Sequence, residues 1–120
     1  MAGISPYLRS ALLNAVLRNA PYTSPVNVYM SLWTGDPTAG GVEIPVTRKV
    51  VTFTISGQYE TNNAPVSFPN MPVTQVAYIG INDALTAGNL LFYGSLATPT
   101  PTAAGDTFYV GNLNLGITML

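Results

Sequence analysis

The chain contains no histidine and no cysteine, and only 8% of its 120 residues are charged. Histidine is the side chain that most often moves protons at neutral pH, and cysteine is the most reactive common nucleophile. Zinc and most transition-metal sites also draw first on these two residue types. We therefore expect no enzyme, no catalytic or metal-binding residue and no cofactor. The composition predicts a protein that acts by shape and contact.

Charge of either sign is scarce, with 4 Lys/Arg against 5 Asp/Glu and a net charge of -1. Four basic side chains can neutralise only a few phosphates, which argues against a nucleic-acid partner. Arg48 and Lys49 are adjacent, and we interpret them as a solvated pair. Small soluble domains usually carry about a quarter charged residues. A chain that is 48% hydrophobic and so weakly charged is expected to form a homo-oligomer or to belong to a multi-copy assembly.

Long hydrophobic runs are also missing. No stretch approaches the roughly 18 apolar residues of a membrane span, and the best helical segment is interrupted by Arg9, Asn14 and Arg18. The N-terminus lacks the charged lead and apolar run of a signal peptide. We therefore expect neither secretion nor a membrane partner.

One helix is well signalled near the N-terminus, at about residues 5–19. Ser5 is a favourable N-cap, and Pro6 occupies the first helical position, where its missing N–H has no cost. Apolar residues line one side of this segment: Leu8, Leu12, Leu13, Val16 and Leu17. Such a stripe usually packs on the domain's own core, and we favour that interpretation over docking on a neighbouring subunit.

Short alternating strands separated by turn residues follow Pro25. We place them near residues 27–33, 50–55, 66–68, 76–81 and 90–96, with a closing strand or hairpin over 108–119. The run from Val76 to Ile81 is apolar on both faces, which indicates a central or doubly covered strand. The segment from Thr98 to Pro101 is expected to be extended and kept out of a central ladder. The pattern predicts a single mainly β domain over residues 1–120. Its expected architecture is an antiparallel β-sandwich over about 26–120, or a jelly-roll-like barrel, with one short N-terminal α-helix.

The carboxylates are the remaining candidates for chemistry. Asp36, Asp83 and Asp106 each lie among turn residues, where aspartate commonly caps its own backbone. Glu43 and Glu60 have no sequence partner that would make an acid–base pair. Calcium and phosphate-binding loop patterns are absent, and the serines lack a histidine base. The sequence therefore predicts structural roles for these acids.

Aromatic side chains are the more informative group. Tyr29 and Trp33 lie on the face of their strand opposite Val28, Met30 and Leu32. Either both faces are covered, with Trp33 packed on the helix, or the two rings look outward and form a contact surface or a sugar-stacking platform. The candidate interaction residues are Leu8, Leu12, Tyr29, Trp33 and Tyr59.

Several motifs resemble a widespread group of small virion proteins of tailed bacteriophages. The SPYL opening at 5–8 leads into PVNVYMSLWTGDPT at 25–38, and the family opens with a helix and a "P-x-x-Y-V-A-L-F-T-x-D-P-T" strand. Further matches are VTF at 51–53, APVSFP at 64–69, GNLLFYGSL at 88–96, AGDTF at 104–108 and LNLGITML at 113–120. The order and spacing are kept nearly end to end. The chain departs at residues 44–50, where the family often has "G-G-x-Y-A-R".

The resemblance implies a non-enzymatic structural protein of the virion, assembled in the host cytoplasm. Family members are often labelled tail-fibre proteins. We favour a capsid decoration or cement protein that stabilises junctions between subunits of the major capsid protein, by burying uncharged surface at many copies. A tail, neck or fibre component that contacts other virion proteins is the alternative. A carbohydrate-binding module that attaches to the host through Tyr29, Trp33 or Tyr59 is the alternative from another class.

Overall fold

A computed structural model describes residues 2–56, 59–111 and 116–118 of the chain. The described part contains one helix, α1 (Pro6–Leu17), and ten strands. The strands are β1 (Ala2–Ile4), β2 (Val28–Trp33), β3 (Lys49–Val51), β4 (Phe53–Ser56), β5 (Tyr59–Asn62), β6 (Val66–Met71), β7 (Thr74–Asn82), β8 (Leu90–Thr102), β9 (Asp106–Val110) and β10 (Gly116–Thr118).

These strands form three sheets within the described residues, and every pairing between them is antiparallel. The largest sheet has the order β1-β8-β7-β2-β3, a second has the order β10-β5-β4, and β6 pairs with β9. The predicted fold class is confirmed, because the chain forms an antiparallel β-sandwich with one short N-terminal helix.

The core lies between the five-stranded sheet and the β6–β9 pair. On the sheet, Met30 of β2 is opposite Ile81 of β7, and Leu32 is opposite Ile79. Alternate residues of a strand share a face, so these four side chains point together into the core. The β6–β9 pair contributes Val66, Phe68, Met71, Phe108 and Val110 to the same buried cluster. Phe68 and Phe108 are also cross-strand neighbours, with ring centroids 6.4 Å apart.

Helix α1 begins as predicted and ends two residues earlier than predicted. The Ser5 hydroxyl accepts a hydrogen bond from the Leu8 N–H at 3.2 Å, and the Ser5 N–H donates to the Leu91 carbonyl at 2.9 Å. Ser5 therefore caps the helix and also anchors it to β8. At the other end, Asn19 adopts a positive φ of 53°, a left-handed geometry that stops the helix.

Most predicted strands are present, with three differences. The predicted strand at 50–55 is divided at Thr52 into β3 and β4, which lie in different sheets. Strands β1 and β5 were not anticipated. Strand β8 continues through the Thr98–Pro101 segment, so that Thr100 lies opposite Val76 on β7. Because β1 accompanies β8 only as far as Gly94, this segment is an edge in the described part of the sheet, where proline is tolerated.

The central position predicted for the Val76–Ile81 run is confirmed, because β7 lies between β8 and β2. The predicted closing strand is represented by β10, which pairs with β5. Residues 112–115 and 119 of that prediction lie outside the described residues.

Candidate contact surfaces

The apolar stripe of helix α1 is buried near its beginning and exposed near its end. Leu8 is only 4% exposed, Leu12 is half-buried, and Leu13 is 53% exposed. Val16 and Leu17 are 78% and 74% exposed. The expectation that the stripe packs on the chain's own sheet is therefore wrong for Leu13, Val16 and Leu17. Ser5 ties the beginning of the helix to β8, and the exposed residues lie toward the other end.

The same helix carries positive charge and no acid. Arg9 lies within α1 and Arg18 caps its C-terminus, and both side chains are exposed. Arg9 donates to the Ile4 carbonyl at 3.1 Å, which keeps it beside the first turn. The exposed apolar residues Leu13, Val16 and Leu17 therefore lie on an element with a cation at each end. We call these three residues the helix patch.

The outer face of β2, opposite the core, carries a buried chain of hydrogen bonds. The Trp33 indole Nε1–H donates to the Ser31 hydroxyl at 2.8 Å, and that hydroxyl donates to Asn82 Oδ1 at 2.7 Å. Ser31 and Asn82 are almost completely buried. A polar group that is buried away from water needs such a partner, because an unsatisfied buried donor or acceptor lowers the stability of the fold by about 1–3 kcal/mol.

Glycines make room for the aromatic rings on this face. Gly80 lies directly opposite Ser31, and a Cβ at Gly80 would be 2.7 Å from Trp33 Nε1. Gly3 lies opposite Tyr93, and a Cβ at Gly3 would be 2.9 Å from Tyr93 Cζ. The Trp33 ring therefore lies over Gly80, and the Tyr93 ring lies over Gly3 on the neighbouring strand.

The sequence left open whether Tyr29 and Trp33 are covered or face outward, and the structure gives an intermediate answer. Both are half-buried on the outer face of the five-stranded sheet, with Tyr29 opposite Asn82 and Trp33 opposite Tyr78. The backbone of Tyr59 lies in β5, in a different sheet, and its side chain lies outside the described part of the structure. The structure therefore places Tyr29 and Trp33 on the same face of one strand, four residues apart, and Leu8 is buried within the chain's own fold.

The three aspartates cap turns, as predicted. Asp36 Oδ1 accepts from the Thr38 N–H at 2.8 Å, and Asp83 Oδ1 accepts from the Asn89 N–H at 2.7 Å. Asp106 Oδ2 accepts from the Ala103 N–H at 2.8 Å. Each carboxylate satisfies a loop amide, which is the structural role expected from its place among turn residues.

The interpretation of Arg48 as a solvated residue is wrong. Its guanidinium forms a bidentate pair with Glu43, with both N···O distances 2.8 Å, and its Nη1 also donates to the carbonyls of Ala84 and Ala87. Only 9% of the Arg48 side chain is exposed. The hydrogen bonds to Glu43 raise the pKa of Arg48. The sequence could not reveal this clamp, because Ala84 and Ala87 are brought to Arg48 only by the fold.

No group of three acidic residues that could hold a metal ion occurs among the residues that the structure describes. The described part of the chain also contains no helix that is long and apolar enough to cross a membrane.

The sequence offered docking of this helix on a neighbouring subunit only as the alternative interpretation, and its candidate residues on the helix were Leu8 and Leu12 rather than the three residues of the helix patch. The 3.6-residue periodicity reveals an apolar side of a helix, but it does not reveal which end of that side the fold covers.

In a comparison with protein-family models, the family described as podophage GP4 fiber I protein gp80 matches residues 3–118. No curated protein matches the chain.

Proposed function

Because this chain belongs to the podophage GP4 fiber I protein gp80 family, we propose that it is a tail-fibre or tail-associated component of the particle that contacts other virion proteins. Family membership makes the chain a structural protein of a bacteriophage virion. The position on the tail is our inference from the description of the family.

The observation that carries the contact role is the helix patch. Val16 and Leu17 are both about three-quarters exposed, and fully burying an aliphatic side chain of this size contributes roughly 1.5–3 kcal/mol. A partner surface that covers the patch would therefore gain several kilocalories per mole at each copy. Repetition of the contact over an assembly would multiply this gain.

The charges around the patch define the partner further. Arg9 and Arg18 are exposed on an element without acidic residues. A neighbouring protein with an apolar groove and an acidic rim would complement both features.

We also propose that the protein catalyses no reaction. Asp36, Asp83 and Asp106 are each engaged in a turn, and Glu43 is held by Arg48. A general acid or base must be free to exchange a proton with a substrate, whereas these carboxylates serve the protein's own loops.

Capsid decoration, which the sequence favoured, stays a prediction, as does contact with the major capsid protein. The same uncharged surface would suit a junction between capsid subunits. The family description favours the tail instead, and the two positions differ in copy number: decoration needs hundreds of copies, and a tail component needs far fewer.

The carbohydrate-binding alternative also stays a prediction. The Trp33 N–H is used within the fold, and its indole lies over Gly80. A stacking role would therefore rest on Tyr29 or Tyr59. A glycan array that compares the natural protein with a Tyr29→Ala variant tests this alternative, and equal silence from both proteins would remove it.

Gold-conjugated antibody labelling of intact particles tests the location. We expect label confined to the tail, together with a low copy number by quantitative mass spectrometry of purified particles. Label distributed over the head at hundreds of copies would contradict the proposal and support capsid decoration.

A pair of matched valines tests the contact surface. Val16 on the helix patch and Val73 outside it are both 78% exposed. We expect Val16→Lys to reduce incorporation into particles at least tenfold and Val73→Lys to leave it unchanged. Lysine suits both the helical conformation and the C-terminal end of a helix, so the variant should remain folded. Normal incorporation of Val16→Lys would contradict the proposed contact.

A further inference from the structure

An open groove of about 500 Å³ lies between the far half of β8 and the strand β9. All five residues of β9 line it, together with Leu96 and residues between Thr98 and Thr102 on β8. Ile79 of the core also reaches it. The groove is therefore an opening at the side of the sandwich through which part of the core meets solvent.

The lining indicates that strand edges face the groove. Successive side chains of a strand point to opposite faces, yet Thr107, Phe108 and Tyr109 all border the same space. Phe108 is buried in the core, whereas Tyr109 is 62% exposed. The feature that these residues share is the backbone edge of β9. No residue of β6, which pairs with the other edge of β9, lines the groove.

The two edges that border the groove differ in their protection. On the β8 edge, Pro101 lines the groove, and proline prevents an additional strand from pairing because it lacks an N–H. Strand β9 contains no proline and no lysine, and its single charge, Asp106, lies at its start. Natural proteins usually protect an exposed strand edge. Among the residues that the structure describes, no strand pairs with the edge of β9 that faces the groove. An open edge without protecting residues is typical of a site that pairs with another strand.

We propose that β9 pairs antiparallel with β9 of a second copy of this chain, which joins the two β6–β9 pairs into one four-stranded sheet. The strand is self-complementary in a register centred on Phe108. In that register Thr107 lies opposite Tyr109 of the second copy, and an aromatic residue opposite a β-branched one is a favourable cross-strand pair. Asp106 lies opposite Val110 of the second copy, so the two carboxylates are at opposite ends of the pairing.

The sandwich itself gives the physical reason for pairing. A two-stranded sheet is the least stable sheet unit, and added strands strengthen it. The second copy would also cover the groove and the apolar residues that line it. Because this contact contains no ion pair, its strength should depend little on salt.

This inference rests on the proposed function, since it names how one copy in the virion would contact the next. The two can fail separately. Particle labelling tests the location, whereas self-pairing is tested with purified protein alone.

Disulfide trapping tests the register, and the absence of cysteine from the chain makes the result unambiguous. We expect Thr107→Cys and Tyr109→Cys, when mixed and oxidised, to form a disulfide-linked heterodimer in high yield. Residues directly opposite in an antiparallel pair have Cα atoms about 4.5–5.5 Å apart, within disulfide range. Either variant alone should cross-link poorly, because the same residue in the two copies is about 7–8 Å apart on the diagonal. A mixture of Thr107→Cys with Val73→Cys is the control.

Sedimentation equilibrium of the cysteine-free chain gives the second measurement. We expect a reversible dimer whose dissociation constant rises at least tenfold in Thr107→Lys and changes less than twofold in Val73→Lys. Circular dichroism of both variants should match that of the natural chain. A natural chain that stays monomeric at about 100 μM, or cross-linking as strong with Val73→Cys as with Tyr109→Cys, would overturn the proposal. A dimer that Thr107→Lys leaves intact would overturn it as well.

Discussion

The two faces of strand β2 are held in place by different forces. On the inner face, Met30 and Leu32 are fully buried against the apolar residues of β7. On the outer face, Ser31 and Trp33 belong to a hydrogen-bonded chain that ends at Asn82, and Gly80 leaves the space that this chain needs. One strand of six residues therefore combines an apolar contact with a polar one.

The difference matters for how strictly each face specifies its residues. Hydrophobic burial is non-directional and scales with area, so a core accepts many exchanges that preserve volume. A buried hydrogen-bond chain needs a donor and an acceptor at fixed positions, and the loss of one partner leaves another unsatisfied. The inner face should tolerate changes of residue type but not loss of volume. The stability of the outer face should be sensitive to the addition or removal of a single atom.

Loss of volume on the inner face should have the largest effect. Leu32→Ala removes a completely buried side chain, and we expect a loss of about 2–5 kcal/mol in the free energy of unfolding because a cavity remains. Leu17→Ala is the same chemical change at a residue that is 74% exposed, and it should change stability by less than about 0.5 kcal/mol. Urea titration of both proteins measures the difference. Equal losses would show that the inner face is not the core.

Addition of one carbon to the outer face should have the next largest effect. Gly80→Ala places a Cβ 2.7 Å from Trp33 Nε1 and 2.8 Å from the Ser31 hydroxyl. We expect a loss of about 1–3 kcal/mol from overpacking, and a shift in the fluorescence of Trp33, the single tryptophan of the chain. The control is Gly35→Ala, whose Cβ would contact only Gly41 Cα at 3.6 Å. Unchanged fluorescence in Gly80→Ala would contradict the placement of the indole.

Removal of a single oxygen from the outer face should lower the free energy of unfolding somewhat less than the Gly80→Ala change. Ser31→Ala deletes the acceptor for the Trp33 indole and the donor to Asn82. We expect a loss of about 1–2 kcal/mol, because both groups lose a partner in a buried place. Ser67→Ala on β6, at an exposed serine, should be nearly neutral. Thermal unfolding followed by circular dichroism compares the two, and a neutral Ser31→Ala would show that the hydrogen-bond chain contributes little.

The smallest effect concerns a tyrosine that interacts with this region through Asp83, the residue after Asn82. Burial, with smaller contributions from Tyr7 and Asp83, raises the pKa of Tyr22 above its ordinary value of 10.0. The unfolded chain therefore loses this proton first as pH rises. The contribution of Tyr22 to stability should be complete below pH 10.0 and should decline as pH rises through the folded-state pKa. Urea unfolding of the natural chain and of Tyr22→Phe between pH 9 and about 11.5 checks this. A parallel decline in both proteins would contradict it.

Local signals predicted local structure well. Ser5 and Pro6 marked the beginning of α1, and Asp36, Asp83 and Asp106 were correctly assigned to capping. Capping depends on residues within a few positions along the chain, so the sequence contains all the participants.

Contacts between distant segments were not predictable in the same way. Arg48 reaches carbonyls 36 and 39 residues further along the chain, and Ser31 reaches an amide 51 residues away. Carbonyl groups occur at every residue, and so they leave no pattern in the sequence that could identify a partner. The apolar stripe of the helix is a local pattern, and so it was visible in the sequence. Which part of the stripe is covered depends on distant segments, and so it was not.

The sequence by itself determined the kind of protein. Its lack of histidine, cysteine and charge argued against chemistry, and its alternating strands and ordered motifs indicated a β-sandwich of a phage virion. The tertiary structure alone decided which surfaces remain available: the end of α1 is exposed, no strand of the described residues pairs with the second edge of β9, and the outer face of β2 is used internally. Composition and periodicity are properties of the chain, whereas exposure depends on which distant segments the fold brings together.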